Sequence, residues 1–140
     1  KGSKVAIFGF TFKENCPDSR NTKVVDIIKE LQEYGVETIV IDPVADAEEV
    51  RHEYGINLHS FASLSELDAV IFAVAHNEFL SLDLEKLKRF YKENTEQLIY
   101  DEVAATLSND FTSPQHVLID VKGIFDQEQA KELNFLYWRL

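Results

Sequence analysis

Short apolar runs alternate with amphipathic stretches along this chain, and the alternation predicts strands joined by helices. Val5 to Phe8 is a short apolar run bounded by Gly9 and reads as a buried strand. The polar loop after it opens a helix near Asn21 or Thr22, and Val24, Ile27, Ile28 and Leu31 keep helical spacing between Lys23 and Tyr34. Gly35 stands where a helix C-terminal glycine belongs. Val36 to Ile41 is apolar and β-branched, a second strand that stops at Asp42-Pro43 because proline has no N–H for a ladder.

Asp46-Ala-Glu-Glu49 opens a second helix with acids in its first turn, and Gly55 closes it. Ile56 to His59 predicts a short edge strand, and Ser63-Leu-Ser-Glu66 has capping-box spacing for a brief helix. Asp68 to Ala75 is the most continuous apolar run, hence a central strand buried on both faces. A third helix is predicted from about Asp83 to Lys92, with Leu84, Leu87 and Tyr91 on one side. Val117 to Val121 reads as a strand, Gln127 to Leu133 as a helix and Phe135 to Trp138 as a final strand. Glu93 to His116 has no clear period apart from a small element at Leu98 to Leu107, and is read as an excursion outside the sheet. The repeated strand, helix, strand order predicts an α/β fold: a three-layer, mostly parallel, doubly wound (Rossmann-like) sheet forming one domain over residues 1–140.

Composition narrows the choice of partners. With 140 residues, 45% of them hydrophobic, the chain can bury a real core. No apolar run approaches the roughly 18–20 residues that cross a bilayer, and Lys1-Gly-Ser-Lys4 leads straight into a strand without a signal-peptide pattern. One cysteine excludes an internal disulfide framework and fits a cytoplasmic location. The net charge of -11, from 25 acids and 14 bases, repels nucleic acid and anionic membranes. Starting almost on a core strand suits a piece of something longer, and equally a small protein with a short N-terminus.

Against that acidic background, Lys13 and Arg20 on the loop after the first strand attract notice. In such sheets ligands gather at the carboxyl ends of strands, so a basic loop leading into a helix there predicts an anion site. The same cations also read as a solvated loop's ordinary charges. A dinucleotide turn needs G-x-G-x-x-G, whereas here Gly9 is followed by Phe10, Thr11, Phe12 and Lys13. The loop offers instead an aromatic ring and an ammonium, suited to a nucleobase and a phosphate, although Phe12 also suits packing beneath a helix. Cys16 reads as structural, since no histidine lies near it in sequence. Asp18 either orients Arg20 or caps the next helix. Asp42 stands where a Rossmann protein holds a ribose but, without the glycines, reads rather as a turn residue before Pro43; His76 stands at a ligand edge and reads rather as a satisfied loop histidine. His52, His59 and His116 lack metal-ligand spacing.

The stretch Gly9-Phe-Thr-Phe-Lys-Glu-Asn-Cys-Pro-Asp-Ser-Arg-Asn-Thr22 resembles the opening of the C-terminal, UDP-binding domain of the UDP-glucose/GDP-mannose dehydrogenases. The likeness continues through Tyr34-Gly35, Asp42-Pro43, Ala73-Val-Ala-His-Asn-Glu-Phe79, Leu118-Ile-Asp-Val-Lys-Gly-Ile-Phe-Asp126 and Tyr137-Trp138. Its wording is most similar to the bacterial UDP-N-acetylhexosamine 6-dehydrogenases of surface polysaccharide synthesis.

That resemblance implies an enzyme with an N-terminal NAD-binding domain and a central domain carrying the catalytic cysteine, both absent here. Such enzymes oxidise the sugar C6 hydroxyl to a carboxylate in two NAD-dependent steps through a thioester-type intermediate, and the full enzyme is expected to be a homo-oligomer. The matched positions imply that Phe12 and Lys13 lie against the UDP part of a UDP-sugar and that Arg20 reaches toward the NAD phosphates. Lys122 falls where relatives carry basic residues near the nucleotide or a dimer partner. Gly123 replaces an arginine of some relatives, and the 93–116 excursion is longer than the family pattern. The isolated chain is then expected to be inactive. The alternative is a non-catalytic assembly or dimerisation module that packs its aromatic C-terminus, Phe135-Leu-Tyr-Trp138, against a partner.

Overall fold

Alternation along the first strand divides the core in two. In β1 (Lys4–Phe8), Val5 and Ile7 point to one side of the sheet and Ala6 and Phe8 to the other, and all four are buried. The computed structural model describes residues 2–92 and 116–140. It continues with α1 (Val24–Glu33), β2 (Glu37–Ile41), α2 (Ala47–Tyr54), β3 (Ala69–Phe72), α3 (Asn77–Leu80), α4 (Leu84–Leu87), β4 (His116–Asp120), α5 (Gln127–Glu132) and β5 (Phe135–Arg139).

The five strands lie in the order β2-β1-β3-β4-β5, and every ladder between them is parallel. All five carboxyl ends therefore share one edge. The chain leaves β1 in one direction to reach β2, then crosses back to β3 and proceeds the other way. The switch point falls between β1 and β3, where sheets of this kind leave a crevice. Val24 and Ile28 of α1 and Val50 of α2 cover the Val5 side; Phe79, Leu84, Leu87 and Ala130 of α3 to α5 cover the Phe8 side. Helices on both faces make the three layers. Phe8 stacks on Phe72 at 4.5 Å between ring centres, with Phe79 edge-on to both.

Most predicted elements stand within a residue or two of their expected places. Asp46 caps α2 by accepting the Glu48 and Glu49 N–H groups, and Asp126 does the same for α5 with Glu128 and Gln129. Four expectations change. The helix expected from Asn21 or Thr22 begins at Val24, because the Thr22 hydroxyl is held between the Phe10 carbonyl and the Val24 N–H. Ile56 to His59 contributes only a single bridge, Leu58 to Val40. No helix follows the Ser63-Glu66 box: a 3-10 turn at Phe61–Ser63 precedes it, and the Ser63 hydroxyl donates back to the Ser60 carbonyl while Leu64 and Leu67 enter the core. The third helix splits into α4 and a 3-10 turn at Lys88–Phe90, since Tyr91 leaves helical geometry to bridge Leu67. The Leu98 to Leu107 element lies outside the described residues.

Candidate functional site

The loop after β1 is shaped by one close approach. Gly9 has φ +100°, and a Cβ there would stand 2.6 Å from the Val74 Cβ, so only glycine lets the β1 and β3 loops touch. Phe10 then turns inward, edge-on to Tyr54 at 5.2 Å, and Thr11 is also buried. The next side chain emerges: Phe12 is 62% exposed, so it does not pack beneath a helix. Lys13 follows it into solvent with no side-chain ion pair among the described residues.

Behind this exposed pair lies a buried polar cluster. Asp42, at the end of β2, accepts the Phe10 and Thr11 N–H groups on Oδ2 at 2.7 and 3.1 Å, and the Val44 and Ala45 N–H groups on Oδ1 at 2.8 and 2.9 Å. His76, fully buried after β3, adds Nε2 at 2.9 Å from the same Oδ2 and at 3.1 Å from the Thr11 hydroxyl oxygen. Its Nδ1 accepts the Asn15 N–H at 2.9 Å. An acceptor at Nδ1 places the proton of a neutral ring on Nε2, which donates toward Asp42. Burial alone would raise the Asp42 carboxyl, but the His76 bond and the backbone N–H groups outweigh it and hold the value at about 2, below the ordinary 3.8. Asn15 and Asn77 complete the clasp, with the Asn15 amide donating to Asn77 Oδ1 at 3.2 Å and the Asn77 N–H donating to Asn15 Oδ1 at 2.8 Å.

The chain's own side chains thus fill the crevice between β1 and β3. The Phe10 and Thr11 N–H groups, which a dinucleotide turn would offer to a pyrophosphate, are already given to Asp42. This edge does not fit NAD in the manner of a glycine-rich turn. What this edge leaves exposed is the outer surface of the loop, with Phe12 and Lys13.

The other expected residues are placed separately. Arg20 is not left free: its Nε and one terminal nitrogen each donate to Asp18 at 3.0 Å, and its backbone N–H does so at 2.9 Å. Arg20 holds Asp18 at about 2, and the Arg20 guanidinium is raised in turn. Asp18 therefore orients Arg20 and does not cap α1. Lys122 is exposed on the turn after β4, on the same edge but two strand spacings, roughly 10 Å, from β1. Cys16 is a half-buried free thiol. No grouping of three metal-ligating side chains occurs among the described residues.

A second cluster lies beyond Lys122. Buried Asp120 accepts the Ile124 and Phe125 N–H groups, each at 3.0 Å, and the Tyr137 hydroxyl at 2.5 Å. Arg139 donates to the Tyr137 hydroxyl oxygen at 3.2 Å and to the Phe125 carbonyl at 2.6 Å. Burial and then the bond to Asp120 raise the Tyr137 phenol. This knot fixes the turn carrying Lys122 to the end of β5.

Sequence reasoning found the exposed cations and the aromatic ring. It passed over the partnership of Asp42 with His76, 34 positions apart. The available signal was that each follows a predicted strand at its carboxyl end.

A doubly wound parallel domain whose anchored loop after the first strand exposes an aromatic ring and a lysine is a nucleotide-edge scaffold by class. Residues 6–108 match the UDP-glucose/GDP-mannose dehydrogenase family, UDP binding domain, and the chain belongs to that family. It is 47% identical over 129 residues to UDP-N-acetyl-D-glucosamine 6-dehydrogenase of Pseudomonas aeruginosa, covering 92% of this chain and 26% of that protein. The protein of the same name from Salmonella typhi is 41% identical over 130 residues, covering 93% and 26% respectively. The chain thus spans about a quarter of the length of these relatives. The crystal structure of NDP-N-acetyl-D-galactosaminuronic acid dehydrogenase from Methanosarcina mazei Go1 superposes with a TM-score of 0.73 at 20% identity, over 99% of this chain and 24% of that one, and supports the fold.

Proposed function

We propose that this chain is the UDP-binding domain, C-terminal in position, of an NAD-dependent UDP-sugar 6-dehydrogenase that makes precursors of surface polysaccharide in the cytoplasm. The observation that carries the reading is the loop itself: Phe12 and Lys13 stand exposed on a segment anchored at Thr11 and at Asn15. Phe12 offers a face to the uracil ring and Lys13 a point charge to the diphosphate. Lys122, on the same edge, is assigned to the far side of the nucleotide or to a neighbouring subunit.

The domain's share of the reaction is positioning. By holding the diphosphate it presents the sugar C6 to groups supplied by the remainder of the enzyme. NAD, held mainly by that remainder, would accept the hydrides; Arg20, steadied by Asp18, faces outward for the NAD phosphates. The complete enzyme is proposed to work as a homo-oligomer. Titration of the chain with UDP, followed by amide NMR, tests the reading. Shifts at Phe12, Lys13 and their neighbours are expected, extending to Lys122 where it meets the far side of the nucleotide, with no dehydrogenase activity. Undisturbed signals at these residues at millimolar UDP would refute it.

An assembly role has one observation in its favour: Leu136 and Trp138 lie on one side of edge strand β5, Leu140 follows it directly, and the three are 42%, 59% and 84% exposed. Light scattering on a Trp138→Ala variant separates the two. Loss of assembly with UDP binding intact would assign the stripe to subunit contact.

A further inference from the structure

We infer that His76 is a positioning residue for the nucleotide loop: its imidazole latches residues 11–15 to the β3–α3 turn and so presets Phe12 and Lys13 before any ligand arrives. The inference rests on the UDP reading above for its ligand, and on geometry for its mechanism.

Three features set His76 apart from a histidine that is merely satisfied. It sits at the switch point, fully buried, where the fold would otherwise leave a crevice. Both ring nitrogens engage the same loop. The Nε2 proton is shared between Asp42 at 2.9 Å and the Thr11 hydroxyl oxygen at 3.1 Å, at the loop's start, while Thr11 gives its own proton to the Lys13 carbonyl. Nδ1 takes the Asn15 N–H at the far end. The two residues between which Phe12, Lys13 and Glu14 are suspended are thus held by one rigid ring. Asn15 adopts φ +59°, a left-handed conformation that asparagine accommodates more readily than most residues, and its backbone and side chain are supported from outside the loop. That support comes from His76 and from the paired bonds with Asn77.

The ring itself is held from behind. Asp42 fixes Nε2 and at the same time grips the Phe10 and Thr11 N–H groups, so strands β1, β2 and β3 converge on one bond network. A carboxylate behind a histidine whose other nitrogen faces outward is familiar from catalytic pairs. Here, however, Nδ1 faces a backbone N–H and no open space, so the pair orients the loop and transfers no proton.

Without the latch, the loop would have to be ordered when UDP binds. Fixing even one backbone residue at that moment weakens affinity by about a factor of ten. His76→Ala is therefore expected to raise the Kd for UDP about tenfold or more. His76→Asn should recover much of the loss, because its carbonyl oxygen stands the same number of bonds from the backbone as Nδ1 and can accept the Asn15 N–H. Leu118→Ala, a core change in β4 remote from the loop, serves as the stability control and should keep the parental affinity.

Two readouts need no variant. Nitrogen NMR of the parent chain should show the His76 ring as the Nε2–H tautomer, and the Asn15 amide should exchange slowly. An Nδ1–H tautomer or a fast-exchanging Asn15 amide overturns the latch, even if every His76 variant fails to fold. Parental affinity in His76→Ala, or an equal loss in His76→Asn, overturns it too. A parent chain that ignores UDP yet shows both NMR signatures would sink the nucleotide reading and leave the latch standing.

Discussion

Gly9 and Val74 approach so closely that a single methyl group on the glycine would sit 2.6 Å from the valine Cβ and 2.8 Å from its backbone nitrogen. Gly9→Ala combines that overlap with a φ of +100° that side-chain-bearing residues avoid. It is expected to destabilise the fold by about 3 kcal/mol or more, read as a lowered urea midpoint with the m-value kept. Parental stability would mean that the β1 and β3 loops do not touch in solution.

Acid should unfasten the same edge. The Asp42 carboxyl has a folded value of about 2 and an ordinary value of 3.8, so its stabilisation is complete above the ordinary value and drains away as pH falls through the folded one. The loss between about pH 4 and pH 2 should be on the order of 1–2 kcal/mol. Asp42→Asn should flatten this part of the stability profile. It should also lower stability at neutral pH by about 2 kcal/mol, because an amide turns a donor toward groups that are themselves donors. Denaturant titrations across that range provide the check.

The loop's two cations should behave differently. Lys13→Ala is expected to weaken UDP binding about ten- to a hundredfold, the scale of a hydrogen bond to a charged group. Arg20→Ala, removing a guanidinium already engaged by Asp18, should leave UDP affinity within about twofold. Calorimetry on both variants decides the matter; an equal loss in each would mean that Arg20 also contacts UDP.

Tyr137→Phe takes one of three donors from buried Asp120 and an acceptor from Arg139. A cost of about 1–3 kcal/mol is expected, together with increased backbone exchange at Lys122 and Gly123. Stability unchanged within about 0.5 kcal/mol would show that the phenol is dispensable to that turn.

Much of this was legible in the sequence because apolar runs and capping residues act locally. The Val5 to Phe8 run, Asp46 before α2 and Gly55 after it each specify an element through neighbours a few positions away. The misjudged segments obey distant partners. Tyr91 abandons a helical period because Leu67 and the Val117 carbonyl lie across the fold, and Ser63 gives up its cap so that Leu64 and Leu67 can be buried. Lys13 and Phe12 were visible as unusual residue types at a strand end. The Asp42–His76–Asn15 chain was not, because hydrogen bonds spanning 34 and 61 positions leave no trace in spacing.

The parallel sheet also fixes where each terminus emerges. Lys4 enters β1 at the amino side of the sheet, while Arg139 and Leu140 leave β5 on the side that carries Lys13 and Lys122. One strand length, roughly 16 Å for five residues, therefore separates an N-terminal tether from the loop that carries Phe12 and Lys13. Anchoring the molecule to a sensor surface through its first residues leaves that loop facing the flow, whereas a tag fused after Leu140 would crowd the very rim being measured.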